Sequence, residues 1–377
     1  MKQAAMERDE MKYKIALSFL KKVPLELVRM LPEKEVSTRE FFESTKKELS
    51  SKLDITESSI PDKVVREEAL FNAIAELEKI ERHNIEPLFI NDDNYPYRLS
   101  EIPDAPVIIY KLGEASFDSS HFCSVVGTRR PSPYGTSFTE RLVTELSEYF
   151  SDVVIVSGLA YGIDSVAHKK CLESGATTIA VVAHGLNMIY PAAHRDLASA
   201  IIRNGGAIIS EYPFGTKPYR QRFLERNRIV AGLSDVTVVT ESPIKGGAMS
   251  TANLAFSYSR DVMALPGRTS DELSAGCNLL IRKNKAHLIG CAADLIETTG
   301  WRPLDIPAHA LQRNLFPELE GDAKTIYEIL KFNPEPLQLD RLHQLTGISI
   351  SLLMSTLGEM EFDGIIMKLP GNRFSLA

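Results

Sequence analysis

Between residues 211 and 230 the chain carries five cations, Lys217, Arg220, Arg222, Arg226 and Arg228, against Glu211 and Glu225. Tyr212, Phe214, Tyr219 and Phe223 are interleaved with them. Cations at this density can track a phosphate backbone while aromatic rings stack on unpaired bases. A solvated basic loop whose rings belong to the core fits the same spacing equally well.

A second set of residues is built around glycine. Gly127-Thr128-Arg129-Arg130, Ser157-Gly158 with Gly162, and Lys245-Gly246-Gly247-Ala248-Met249-Ser250-Thr251 each follow a short apolar run. Glycine lets a phosphate come close to the backbone, and N–H groups at a helix start favour an anion. One such turn is more often an ordinary tight turn. Several on one rim point to an anion-binding edge.

Other chemistries lack their patterns. No G-x-G-x-x-G follows the first strand, and no G-x-x-x-x-G-K-[ST] is present, so dinucleotide and P-loop binding are not supported. Asp164 has the position of a helix-capping acid more than of a catalytic one. His168, Lys169, His184 and His194 give no metal spacing, and Ser157 has no G-x-S-x-G elbow, so neither a metal nor a catalytic triad is expected. No cofactor is expected.

The turns need a scaffold that brings them together. A strand is expected at 107–110, and runs at 123–126, 153–156, 178–182, 207–209, 236–239 and 262–265 read as strands with helices between them. Near-continuous Val, Ile and Ala runs fit strands covered on both faces. The expectation is an α/β fold: an extended Rossmann-like, doubly wound, mostly parallel sheet. An N-terminal helical domain and a C-terminal winged helix flank it. The boundaries are 1–84 (helical), 85–298 (α/β), 299–321 (a proline-containing linker) and 322–377 (winged helix). In the helical part, Ala69, Leu70, Ala73, Ile74 and Leu77 form the expected buried face of a helix over 63–81. That part lacks the Gly-hydrophobic-Gly hairpin that would grip a DNA backbone. In the winged helix, five cations face seven acids, and the third helix offers only Glu359 and Glu361 as charges. A base-reading role is not expected of it. Its surplus apolar residues Leu352, Leu353, Met354 and Leu357 suit docking on a protein.

At 377 residues the chain is long enough for two or three domains. Its net charge of −7 confines nucleic-acid binding to a local patch. The four cysteines form no C-x-x-C pair, so buried thiols in a reducing compartment are expected. No run has the length of a membrane span and no signal sequence opens the chain, so a cytoplasmic location is expected.

The segments VVGTRRPSPYG, VSGLAYGIDSVAH, YPAAHRDLA, SEYPFGTKP, FLERNRIVAGLSD, ESPIKGGAMSTANLA, RDVMALPG and GCNLLI, in this order, closely resemble the DNA-processing protein A (DprA, or Smf) family over about residues 88–300. The resemblance implies a single-stranded DNA-binding protein that is not an enzyme. Such a protein acts as a dimer and helps load the RecA recombinase in natural transformation and recombination, with single-strand binding protein as a further candidate partner. It assigns DNA contacts to Arg129, Ser157 and Gly158, Lys217, Arg226, Asn227 and Arg228, and Lys245, Gly246, Gly247 and Ser250. Phe214 and Phe223 are the stacking candidates. The helical domain resembles the family's sterile-alpha-motif-like domain only in position and helicity. An alternative is a nucleotide-binding hydrolase akin to the lysine-decarboxylase-like phosphoribohydrolases. Its P-G-G-x-G-T-x-x-E motif lacks a counterpart in KGGAMSTANL. An NAD-dependent oxidoreductase is a weaker alternative.

Overall fold

The structure is a computed structural model that describes residues 2–20, 23–303, 321–333, 336–362, 365–369 and 373–376. Two compact units divide the chain, 1–305 and 306–377.

The first unit opens with helices α1 (Lys2–Phe19), α2 (Leu25–Glu33), α3 (Thr38–Glu43), α4 (Lys46–Leu53) and α5 (Lys63–Arg82). Strands and helices then alternate: β1 (Glu86–Phe89), α6 (Tyr97–Ser100), β2 (Ile108–Gly113), β3 (His121–Val126), α7 (Pro133–Tyr149), β4 (Val153–Ser157), α8 (Ile163–Glu173), β5 (Thr177–Val181), α9 (Arg195–Arg203) and β6 (Ala207–Ser210). The unit continues with α10 (Arg220–Gly232), β7 (Val236–Val239), α11 (Gly247–Ser257), β8 (Asp261–Ala264), α12 (Ala275–Arg282), β9 (His287–Leu288) and α13 (Ala292–Thr299). Among the described residues these strands form one nine-stranded sheet, ordered β1-β2-β6-β5-β4-β3-β7-β8-β9. β1 and β2 are antiparallel additions at one edge, and the pairs from β6 to β9 are parallel.

Every residue of β3, β4 and β7 is buried, as their near-continuous apolar runs require when helices cover both faces. Phe138, Leu142, Val143 and Leu146 of α7 pack with Val125, Ile155 and Val238 on one face. Val126, Val156 and Val181 pack on the other with Ile229 and Ala252 of α10 and α11. From β3 the chain moves to β4 on one side, while β7 pairs with β3 on the other. The sheet therefore reverses its winding at β3, and a crevice opens there at the strand C-termini.

The α/β expectation holds, with strand ends shifted by a residue or two. β1 and β9 add strands that the sequence reading left out, both too short to show alternation. The buried face of α5 differs from the apolar stripe. Arg66, Ala69, Ala73, Glu76 and Leu77 are buried, while Ile74 and Phe71 are exposed. Arg66 donates to the carbonyl oxygens of Phe41 and Phe42, and Glu76 Oε1 accepts the Phe214 N–H at 2.6 Å. Charged groups with backbone partners can occupy a core face that hydropathy alone assigns to Leu and Ile.

Burial raises the carboxyl pKa of Glu76 above its ordinary value, opposed by the Phe214 N–H and by Lys79. A folded-state pKa above the unfolded one gives stability that is full in acid and is lost as pH rises through the folded value. Glutamine keeps the acceptor and removes the charge. Glu76→Gln is therefore expected to raise the melting temperature at neutral pH and to match wild type once pH falls below the ordinary glutamate range. Thermal unfolding at the two pH values checks this.

The second unit contains α14 (Gly321–Phe332), β10 (Leu337–Gln338), α15 (Leu339–Thr346), α16 (Ile350–Phe362), β11 (Ile366–Leu369) and β12 (Arg373–Leu376). Its strands are ordered β10-β12-β11 around a core of Ile326, Leu330, Leu342, Leu353, Leu357 and Phe374. Gly347, at φ 71°, makes the left-handed turn between α15 and α16. Three helices and a hairpin make a winged helix, as expected. Leu352 and Met354 of α16 are exposed. Most of the expected linker, 304–320, lies outside the described residues. Trp301, just before it, packs edge-on against Phe150 and His121 of the first unit.

Candidate nucleic-acid interface

The C-terminal ends of β3, β4 and β7 surround an open cleft of about 680 Å³. The turn after β3 contributes Gly127, Thr128 and Arg129. The turn after β4 contributes Gly158 and Ala160, the start of α10 Arg220, Phe223, Arg226 and Asn227, and the turn after β7 Lys245, Gly246 and Gly247. Four cations line it against the single carboxylate of Asp164.

Its rim begins with two long side chains in water. Arg129 is exposed, and its guanidinium carbon lies 5.8 Å from the centre of the Phe223 ring. Lys245 is also exposed. Beside them α11 starts without a side-chain cap, because Gly246 at the N-cap has no side chain to offer. A side chain added at Gly247 would meet open space. The first N–H groups of a helix, with its positive end, favour an anion. Asn227 bridges to this turn by donating to the Gly247 carbonyl at 3.5 Å.

The floor is ionic and internal. Arg226 is only 4% exposed. Its guanidinium donates to Gly158 O at 2.6 Å and to Val181 O. Gly158 is required here, since a methyl group in its place would lie 2.6 Å from the guanidinium carbon. The Asp164 carboxylate accepts the N–H groups of Gly158 (3.1 Å) and Ala160 (3.3 Å). Burial raises the Asp164 pKa, with Arg226 and the two N–H groups opposing, and burial lowers that of Arg226 against the pull of Asp164. Arg226 and Asp164 thus brace the turn after β4, one through a carbonyl and the other through amides.

These partners revise several sequence expectations. Ser157 is fully buried and donates its hydroxyl to Val125 O at 2.7 Å, so it offers no contact to a ligand. The Gly158 N–H is already bonded to Asp164, so it offers no free amide. Arg228 is ion-paired with Glu211 away from the cleft lining. Phe214 packs on His83 of the N-terminal helical part at 4.6 Å and is not in the lining. Lys217 is exposed on the neighbouring loop, and Ser250 lies one residue before the lining residue Thr251. Arg129, Phe223, Arg226, Asn227, Lys245, Gly246 and Gly247 do converge.

Residues passed over as individual contacts also line the cleft, above all Arg220 and Tyr190. Arg220 belonged to the basic stretch. Tyr190 stood in the YPAAH segment with no sign of its direction. The acids and histidines have structural employment. Glu241 accepts the Ser132 N–H at 2.8 Å at the start of α7. His168 is fully buried, bonded through Nδ1 to Thr178, and its pKa is pushed down to about 3 by burial, so it stays neutral.

Known proteins resemble this chain in sequence and fold. The chain is 34% identical over 344 residues to Protein Smf of Synechocystis sp., covering 83% of this chain and 85% of that one. The X-ray structure of DNA processing protein A from Streptococcus pneumoniae matches with a TM-score of 0.63 at 33% identity, over 76% of this chain and 95% of that one. DNA processing protein A from Helicobacter pylori, solved for its single-stranded DNA binding mode, matches with a TM-score of 0.51 at 34% identity, over 57% and 94%. The family described as DprA winged helix domain matches residues 313–372. The family described as DNA recombination-mediator protein A matches residues 86–300, which include every strand and turn around the cleft. The chain belongs to the DNA recombination-mediator protein A family.

Proposed function

We propose that this protein binds single-stranded DNA along the cleft, with little sequence preference, as part of DNA processing in transformation and recombination. One observation carries the reading: a single cleft joins the uncapped start of α11 with Arg129, Arg220, Lys245 and the Phe223 ring. Cations and helix-start amides suit phosphates, and a ring suits an unpaired base. The Helicobacter pylori relative, whose single-stranded DNA binding is the subject of its structure, supports it. The nearby acids Asp164 and Glu241 are bonded to backbone amides, which favours a binding site over a hydrolase. By its family resemblance the protein acts as a homodimer and passes the strand to the RecA recombinase, with single-strand binding protein as a further partner. No described helix is long and apolar enough to cross a membrane.

Fluorescence anisotropy of a labelled oligo-dT across a salt series tests the reading. Bound phosphates release counterions, so log affinity falls against log salt by about 0.7 per phosphate neutralised. A flat salt response, or no binding, contradicts it.

The winged helix is outside this binding mode. Among the described side chains of α16, the charges are the exposed Glu359 and Glu361, which repel phosphate. Deleting residues 322–377 is expected to leave oligo-dT affinity within a few-fold of wild type in the same assay. A large loss would assign DNA contact to that unit.

A further inference from the structure

The rings of Phe223 and Tyr190 line the cleft, and Tyr161, in the turn before α8 and outside the lining, is a further half-exposed ring. Tyr190 is 51% exposed, and its ring centre lies 5.7 Å from that of Phe223. Tyr161 is 50% exposed and rests edge-on against His194 at 4.9 Å. His194 is buried and fixed through Nδ1 to Leu159 O at 2.8 Å. Tyr161 also sits beside the central cation. Gly162, at φ 79°, folds the chain so tightly onto the turn after β3 that a Cβ there would lie 2.7 Å from Arg129 Cα. Arg129 therefore has Phe223, with Tyr190 against that ring, beside its guanidinium and the Tyr161-Gly162 turn beside its backbone.

We infer that Tyr161 and Tyr190 extend the DNA site into a stacking track on which successive bases rest while Arg129 holds the phosphate between them. This rests on the single-stranded DNA reading above and assigns its path. Each ring is braced by a neighbour, so little freedom is lost when a base covers it. Stacking also needs only a π-face, which gives grip without sequence preference.

The test compares Tyr161→Ala, Tyr190→Ala and the corresponding Phe variants in the full-length protein. Binding is measured on oligo-dT and on an abasic oligodeoxynucleotide of equal length. Each alanine variant is expected to lose about five- to a hundred-fold on oligo-dT, the usual range for one stacked base. On the abasic strand it is expected to match wild type, and the Phe variants are expected to match wild type on both. Oligo-dT affinity that survives both alanine variants overturns the track while leaving the binding site in place. An equal loss on both strands also overturns it, because the tyrosines then only shape the cleft. If wild type binds no oligo-dT, the single-stranded DNA reading itself fails, and the track with it.

Discussion

Alanine at position 226 is expected to lower the melting temperature by about 6–12 °C. The side chain is buried, and its guanidinium serves two backbone carbonyls, Gly158 O and Val181 O, beneath the turn after β4. Truncation leaves both oxygens without that donor and removes the positive neighbour of the Asp164 carboxylate. A buried polar group that loses its partner costs roughly 1–3 kcal/mol, so the combined loss is about 3 kcal/mol. In a domain of this size that is about 2–4 °C per kcal/mol. Lysine is not expected to rescue it, because one ammonium cannot reproduce the planar fork. Thermal unfolding followed by circular dichroism checks both variants, and an unchanged midpoint for Arg226→Ala would show that the brace carries no weight.

Arg129→Ala is expected to have the opposite profile. Arg129 is exposed, and its described contact is with the face of Phe223. The fold should lose nothing measurable in melting temperature. A hydrogen bond from a cation to phosphate is worth about 1.5–3 kcal/mol, so oligo-dT affinity should fall roughly ten- to a hundred-fold. With one phosphate contact gone, the salt dependence should flatten by about 0.7 in log–log slope. Lys217→Ala is expected to lose less, since Lys217 stands on an exposed loop outside the cleft lining. Anisotropy and melting data on the same preparations separate the cases. Retained affinity in Arg129→Ala, or a loss that follows unfolding, contradicts the assignment.

The contrast between Arg226, bonded inside the fold, and Arg129, exposed on the rim, shows where reading a sequence stops. The sheet was readable because β3, β4 and β7 are near-continuous apolar runs, and burial on both faces demands such runs. The location of the cleft followed from the turns after those strands. The direction of each side chain did not. Arg226 and Arg228 have the composition of phosphate ligands, but one is bonded to carbonyls under the floor and the other to Glu211. Phe214 was a fair stacking candidate until α5 proved to pack His83 against it. Each depends on a partner far away in sequence, Gly158 for Arg226 and His83 for Phe214, which no local pattern records. Hydropathy failed at α5 for the same reason, since Arg66 and Glu76 are buried through bonds to backbone groups of other segments.

The central claim is that single-stranded DNA lies on the rim formed by the ends of β3, β4 and β7. Photo-cross-linking of the full-length protein to oligo-dT containing 5-iodouracil, with the attached peptides identified by mass spectrometry, tests it most directly. Cross-links at Phe223 and its neighbour Tyr190, and at Tyr161, are the predicted result. Efficient cross-linking confined to residues 321–376, or to the helices of residues 2–82, would contradict the account.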